Sequence, residues 1–136
     1  MQRAVVDTNV LFEGLTKHGA CAQVVDAWVA KQFVPCVSTA LALEYEEVLT
    51  NKLGPAKRKH ALGAMQALLA RAEFTAITFT VRPASPDPDD DFVVDCAFNA
   101  AAPVVTRNLK DFRGLQQSVG VTAISPEDFL SILQRS

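Results

Sequence analysis

The chain contains few of the residues with which small proteins are cross-linked or soft metals held. Among its 136 residues are three cysteines, Cys21, Cys36 and Cys96. An odd number at wide spacing, with no Cys-x-x-Cys, argues against a disulfide framework and against a zinc site. Each is expected to be a small buried hydrophobe. Histidine is equally scarce, with only His18 and His60. Long hydrophobic runs are missing too: no window approaches the ~20 uninterrupted apolar residues of a membrane span. Met1-Gln2-Arg3 leads directly into an apolar strand without the pattern of a secretory signal, so the expected location is cytoplasmic, with no membrane partner. Nor is charge of one sign in excess. Thirteen basic against fifteen acidic side chains leave a formal charge of -2, which neither demands nor excludes nucleic acid as a partner.

What is present suits a globular fold. Apolar residues make up 49% and charged residues 21%, within the range of chains that bury a core. No internal repeat or linker divides the sequence, so one domain over residues 1–136 is expected. Short apolar, β-branched runs at 4–6, 33–38, 76–81, 103–106 and 121–124 read as strands, although Pro35 weakens the second as a central one. Between them lie helical stretches. The first begins at Val10-Leu11-Phe12 and is interrupted near Gly14 and Gly19. Others cover 20–32, the residues after Ser38 or Thr39, about 56–72, and Asp89 to about Ala101. Lys110-Asp111-Phe112 is a loop or short helix. Ser125-Pro126-Glu127-Asp128 combines an N-cap with proline at the first helical position and opens a terminal helix. The alternation predicts an α/β fold, a central parallel β-sheet flanked by helices in three layers.

In an open parallel sheet ligands bind beyond the carboxyl ends of the strands, so the residues that follow each strand matter most. Asp7, Thr8 and Asn9 follow the first. Glu44 lies early in the helix after the second. Asp89, Asp90 and Asp91 start the helix after the third, and Thr106, Asn108 and Asp111 follow the fourth. Each has a simpler reading: Asp7-Thr8-Asn9 as a turn and cap, Glu44 as a solvated helix position, the Asp triplet as a dipole-matched helix start, Asp111 as a loop residue. Joint placement favours function. Carboxylates gathered at one edge repel one another, and a hard cation relieves that repulsion. Mg²⁺ takes oxygen ligands, keeps several waters and is served by few carboxylates plus a phosphate. Neither histidine stands at a strand exit, which argues against zinc.

Three blocks in order then resemble a known family. They are Val5-Val6-Asp7-Thr8-Asn9-Val10; Ser38-Thr39-Ala40-Leu41-Ala42-Leu43-Glu44; and Asp90 through Ala97 followed by Val104-Val105-Thr106-Arg107-Asn108 and Lys110-Asp111-Phe112. Together they resemble the PIN domain, of the kind that includes VapC-type toxins of toxin–antitoxin pairs. The resemblance implies metal-dependent hydrolysis of RNA phosphodiester bonds with Mg²⁺ or Mn²⁺ as cofactor. It makes Asp7 the first acid, Glu44 the second and Asp90 the third, with Asp91 as the rival. The fourth position falls to Asp111 or to Asn108, whose amide oxygen replaces a carboxylate. It makes Asp7, Asp90, Asp91 and Asn108 the metal ligands, and Thr8, Asn9 and Thr106 residues that support them or position water. Arg107, Lys110 and Arg113 near the same edge are candidate RNA contacts, as is the cluster Lys52, Lys57, Arg58 and Lys59. Relatives of this kind imply a protein antitoxin and a homodimer. Two other readings stand beside this one. The first is a catalytically silent PIN-like module that binds RNA or protein, with Asn108 in its favour. The second is a receiver-like phosphotransfer domain, disfavoured because Asp7 has no acidic neighbour at the first strand exit.

Overall fold

A computed structural model describes residues 1–80 and 91–135. Strand β1 (Arg3–Val6) is followed by α1 (Thr8–Thr16), α2 (Ala20–Val29), β2 (Val34–Val37), α3 (Thr39–Lys52), α4 (Pro55–Leu69) and β3 (Glu73–Phe74). Then come α5 (Asp91–Ala100), β4 (Val104–Val105), a 3-10 turn (Leu109–Phe112), α6 (Leu115–Val119), β5 (Ala123–Ile124) and α7 (Pro126–Arg135). All strand pairings are parallel, in the order β3-β2-β1-β4-β5. The expected α/β architecture with a parallel sheet between helices is the one observed.

The three central strands, β2, β1 and β4, are largely buried because they are mostly apolar, whereas the edge strand β3 is exposed. Val5, Val104, Val105, Cys36 and Val37 are completely covered, as befits parallel strands with helices packed on them. Helix α5 crosses the centre with Val93, Val94, Cys96 and Ala97 buried. At the opposite end from the strand exits, Phe33 meets Trp28 and Phe129 edge-on, with centroids 6.3 and 4.9 Å apart, the favoured geometry for aromatic pairs. All three cysteines are buried and free. Burial pushes the Cys21 and Cys96 thiols up to about 11, so neither is an activated nucleophile.

Several local expectations are corrected. Helix α1 starts at Thr8 and runs through Gly14 without interruption. A Cβ at Gly14 would lie 2.6 Å from both the Cys21 carbonyl oxygen and Val25 Cγ2; the glycine serves the crossing of α1 and α2, not a break. Pro35 sits inside an interior strand, where it was expected to be unwelcome. It is tolerated because β3 begins pairing only at Cys36, so at Pro35 the only neighbouring strand is β1. The third strand lies at Glu73–Phe74, not at 76–80, and Val81, the last residue of the expected run, lies outside the described residues. Beyond Thr75, whose N–H donates to Val37 O at 2.9 Å, β2 has ended. The next backbone groups go instead to Asn99 on α5. Its Oδ1 accepts from the N–H groups of Thr78 (3.0 Å) and Phe79 (3.2 Å), and its Nδ2 donates to Phe79 O at 2.7 Å. One side-chain amide thus replaces a strand partner.

Candidate metal and RNA site

The chain passes from β1 outward to β2 and β3, then returns across the sheet to lay β4 on the other side of β1. The switch point of the topology therefore lies between β1 and β4, the place where open α/β sheets bind ligands. Val6 pairs with Val105, Val37 with Phe74 and Val105 with Ile124. Carrying the register one residue further aligns a row of polar residues across the edge: Thr75, Ser38, Asp7, Thr106 and Ser125.

The members of this row do different work. Ser38 Oγ accepts from Leu41 N–H and caps α3, and Ser125 Oγ accepts from Asp128 N–H and caps α7, both at 3.1 Å. Asp7 also occupies a cap position, and its carbonyl accepts from Leu11 N–H at 3.1 Å, but its side chain makes no cap hydrogen bond. Instead Thr106 donates its hydroxyl to Asp7 Oδ2 at 2.7 Å, and the same hydroxyl oxygen accepts from Asn108 N–H at 2.9 Å. Asp7 is only 3% exposed and Thr106 fully covered. A carboxylate taken this far from water is retained where it is paired or holds a cation. Thr8, buried beside it, has a hydroxyl with no hydrogen-bond partner among the described residues.

The other expected residues are distributed around this edge. Glu44 is half-buried in α3, nearly two turns past the Ser38 cap, and Asp91 is half-buried at the first residue of α5. Asp111 is half-buried in the 3-10 turn after β4. Asn9 and Asn108 are exposed. Asp89 and Asp90, the latter the expected third acid, lie outside the described residues. Among the described residues no three His, Cys, Asp or Glu side chains converge as a metal cage. The donor set is nonetheless hard oxygen, with an orphaned buried hydroxyl at Thr8. It fits an ion such as Mg²⁺, which is held by one or two carboxylates and retains its waters.

The basic candidates differ in availability. Arg107 is paired, with Nη1 2.6 Å from Glu127 Oε2 on α7 and Nη2 3.5 Å from Glu13 Oε2 on α1. The bond to Glu127 lifts the Arg107 pKa and holds the Glu127 carboxyl below its ordinary value. Lys110 and Arg113 are exposed beside the 3-10 turn. Lys52 sits over the Phe12 ring, 5.2 Å from its centroid, and Arg58 Nη2 donates to Leu53 O at 3.0 Å, closing the end of α3. Sequence reasoning passed over two buried polar side chains near this edge. Asp95, 5% exposed, stands one turn after Asp91 inside an apolar run. Tyr45, next to Glu44, donates its hydroxyl to Val6 O at 2.5 Å. The clue to the second was a lone tyrosine at a core-facing helical position.

The PIN-domain profile matches residues 3–110, from the first strand to the turn after the fourth. The chain belongs to the PIN-domain family. Solved structures with this PIN fold include DNA-bound VapBC from Salmonella typhimurium (TM-score 0.64, 16% identity, covering 93% of this chain and 99% of that one). VapBC2 from Rickettsia felis, bound to a promoter DNA fragment, is also similar (TM-score 0.63, 12% identity, covering 91% and 98%). So is FitAB bound to the IR36 DNA fragment (TM-score 0.59, 15% identity, covering 90% and 94%). At these identities the likeness is one of fold. No curated protein matches the chain.

Proposed function

We propose that this PIN domain is a metal-dependent endoribonuclease that hydrolyses RNA phosphodiester bonds, and that it is the toxin of a toxin–antitoxin pair. The observation that carries the reading is the Asp7–Thr106 pair: a buried carboxylate at the switch point, spent on no helix cap and held in place by a hydroxyl from the neighbouring strand. In this reading Asp7 and Asp90, with Asp91 as the alternative, hold Mg²⁺ or Mn²⁺. Glu44 and Asp111 support them, and Asn108 adds an amide oxygen. The ion supplies charge neutralisation at the scissile phosphate and lowers the pKa of a water. Thr106 fixes the Asp7 carboxylate, Thr8 and Asn9 lie where a water or phosphate oxygen is to be oriented, and Lys110 and Arg113 offer charge to the RNA backbone. Arg107, paired with Glu127 and Glu13, ties the exit of β4 to α7 and α1. The products carry a 5′-phosphate and a 3′-hydroxyl.

The similar solved structures are of VapBC and FitAB bound to DNA. They support an antitoxin as this chain's partner, one that covers the acidic edge in the resting pair. A homodimer and a cytoplasmic setting complete the proposal; no helix among the described residues is long and apolar enough to cross a membrane. The second reading, a silent RNA- or protein-binding module, draws on Asn108, an exposed amide in place of a carboxylate.

The test is cleavage of a mixed pool of structured RNAs with Mg²⁺, Mn²⁺ or chelator, by the parent and by Asp7→Asn. Cleavage that requires both metal and Asp7 is the expected result. Equal cleavage by Asp7→Asn removes Asp7 from the centre. No cleavage by the folded, partner-free parent gives precedence to the silent module.

A further inference from the structure

Tyr45 and Glu44 are consecutive on α3, so their side chains leave the helix about 100° apart. Glu44 stays half-buried while the Tyr45 ring passes into the core, 1% exposed. Its hydroxyl ends on Val6 O, the last carbonyl of β1. That carbonyl belongs to the peptide whose N–H is that of Asp7, and this N–H donates to Val105 O at 3.0 Å. One peptide plane is therefore held from both ends, by α3 at its oxygen and by β4 at its nitrogen. The next atom along the chain is the Cα that carries the Asp7 carboxylate. Burial raises the Tyr45 phenol well above its ordinary range, and the neighbouring Cys96 and Asp7 raise it further. Facing a carbonyl oxygen, the hydroxyl is the donor of this bond.

A core tyrosine needs only some acceptor. Here the acceptor joins the element that carries Asp7 to the helix that carries Glu44. We propose that Tyr45 is a positioning residue which sets the separation of Asp7 and Glu44 by tying the β1 exit to α3. The proposal rests on reading Asp7 as a metal ligand.

Two variants separate positioning from general support. Tyr45→Phe removes this bond, whereas Trp28→Phe removes another buried side chain-to-backbone bond, Trp28 Nε1 to Leu68 O at 2.8 Å, beside Phe33 at the far end of β2. Mn²⁺ affinity is measured for each by titrating the free-ion EPR signal, alongside the thermal midpoint and kcat and KM for RNA cleavage. Tyr45→Phe is expected to weaken Mn²⁺ binding about 10–100-fold, the usual effect of losing an outer-shell partner, and to lower kcat more than it changes KM. Trp28→Phe lowers the midpoint and leaves Mn²⁺ affinity at the parental value. Parental affinity in Tyr45→Phe, or an equal loss in both variants, overturns the proposal. A parent that binds no Mn²⁺ overturns the metal reading itself, a distinguishable result.

Because the chain has a single tyrosine, fluorotyrosine incorporation labels this position alone and needs no substitution that risks the fold. Its ¹⁹F resonance is expected to move on Mg²⁺ addition in the parent and to stay fixed in Asp7→Asn. A resonance indifferent to Mg²⁺ in a parent that binds the ion also overturns the proposal.

Discussion

Thr106 donates its hydroxyl to Asp7 Oδ2 at 2.7 Å, across 99 residues of sequence, and in doing so joins the exits of the two strands that flank the topological switch. The same oxygen accepts from Asn108 N–H, so the hydroxyl's rotor is set and its proton faces the carboxylate. Thr106→Val keeps the shape but leaves Asp7 without this donor and Asn108 N–H without its acceptor. Stability is expected to fall by about 1–3 kcal/mol, and Mg²⁺ affinity and cleavage by about 10–100-fold. Thr106→Ser, which retains the hydroxyl, recovers most of both. Calorimetric Mg²⁺ titration beside chemical denaturation checks the pair; equal Mg²⁺ affinity in the valine variant removes Thr106 from the site.

The Arg107–Glu127 bridge predicts a defined pH dependence. Hydrogen bonding to Arg107 holds the Glu127 carboxyl below its ordinary value of 4.5. A depressed carboxyl stabilises the fold above its unfolded pKa, and that contribution disappears as pH falls through the folded value. Both side chains are substantially exposed, so the contribution is small, at most about 1 kcal/mol. Glu127→Gln is therefore expected to lower stability slightly at pH 7 and to converge on the parent as pH falls through the depressed folded pKa of Glu127. Denaturation midpoints of both proteins across this range test the sign, and a difference that grows on acidification refutes it.

Gly14 and Gly63 are both helical, yet alanine is expected to act oppositely at the two. At Gly14 the added methyl meets a backbone oxygen and a valine methyl at 2.6 Å, and a backbone atom cannot swing aside. Separating α1 from α2 is expected to cost about 1–3 kcal/mol or more. At Gly63 nothing lies within 4 Å, and the removal of glycine's unfolded-state freedom stabilises by about 0.4–1 kcal/mol. Thermal unfolding of the two variants shows the contrast directly.

Asn99→Ala is expected to release residues 78 and 79 without disturbing the sheet. The backbone N–H groups of Thr78 and Phe79 both end on Asn99 Oδ1, so their amide exchange should rise towards that of exposed chain, while Val5 and Val105 keep their protection. Unchanged exchange at 78 and 79 shows that another contact holds the segment, such as the packing of Phe79 on Phe98 at 5.2 Å between centroids.

Much of this protein was legible from local chemistry. Short apolar runs marked the strands around Val5, Cys36 and Val104. Ser38 and Ser125 announced helix starts that the structure contains, because a hydroxyl next to a helix's first free N–H groups acts over a few bonds only. Asp7 and Thr106 could be placed at strand exits because each directly follows an apolar run. Everything that depends on what lies opposite had to await the fold. The apolar alternation after Thr75 offered a strand, yet β2 ended and Asn99 supplied the partner. Gly14 looked like a break until α2 packed on it, and the pairing of Arg107 with Glu13 and Glu127 from two helices could not be read along the chain. Asp7's cap position was written in the sequence, but that its side chain caps nothing was decided by a threonine brought alongside by parallel pairing. Sequence determines which groups a residue carries and how the chain turns beside it; only tertiary packing determines which distant partner satisfies those groups, since a hydrogen bond acts over about 3 Å and takes no account of separation along the chain.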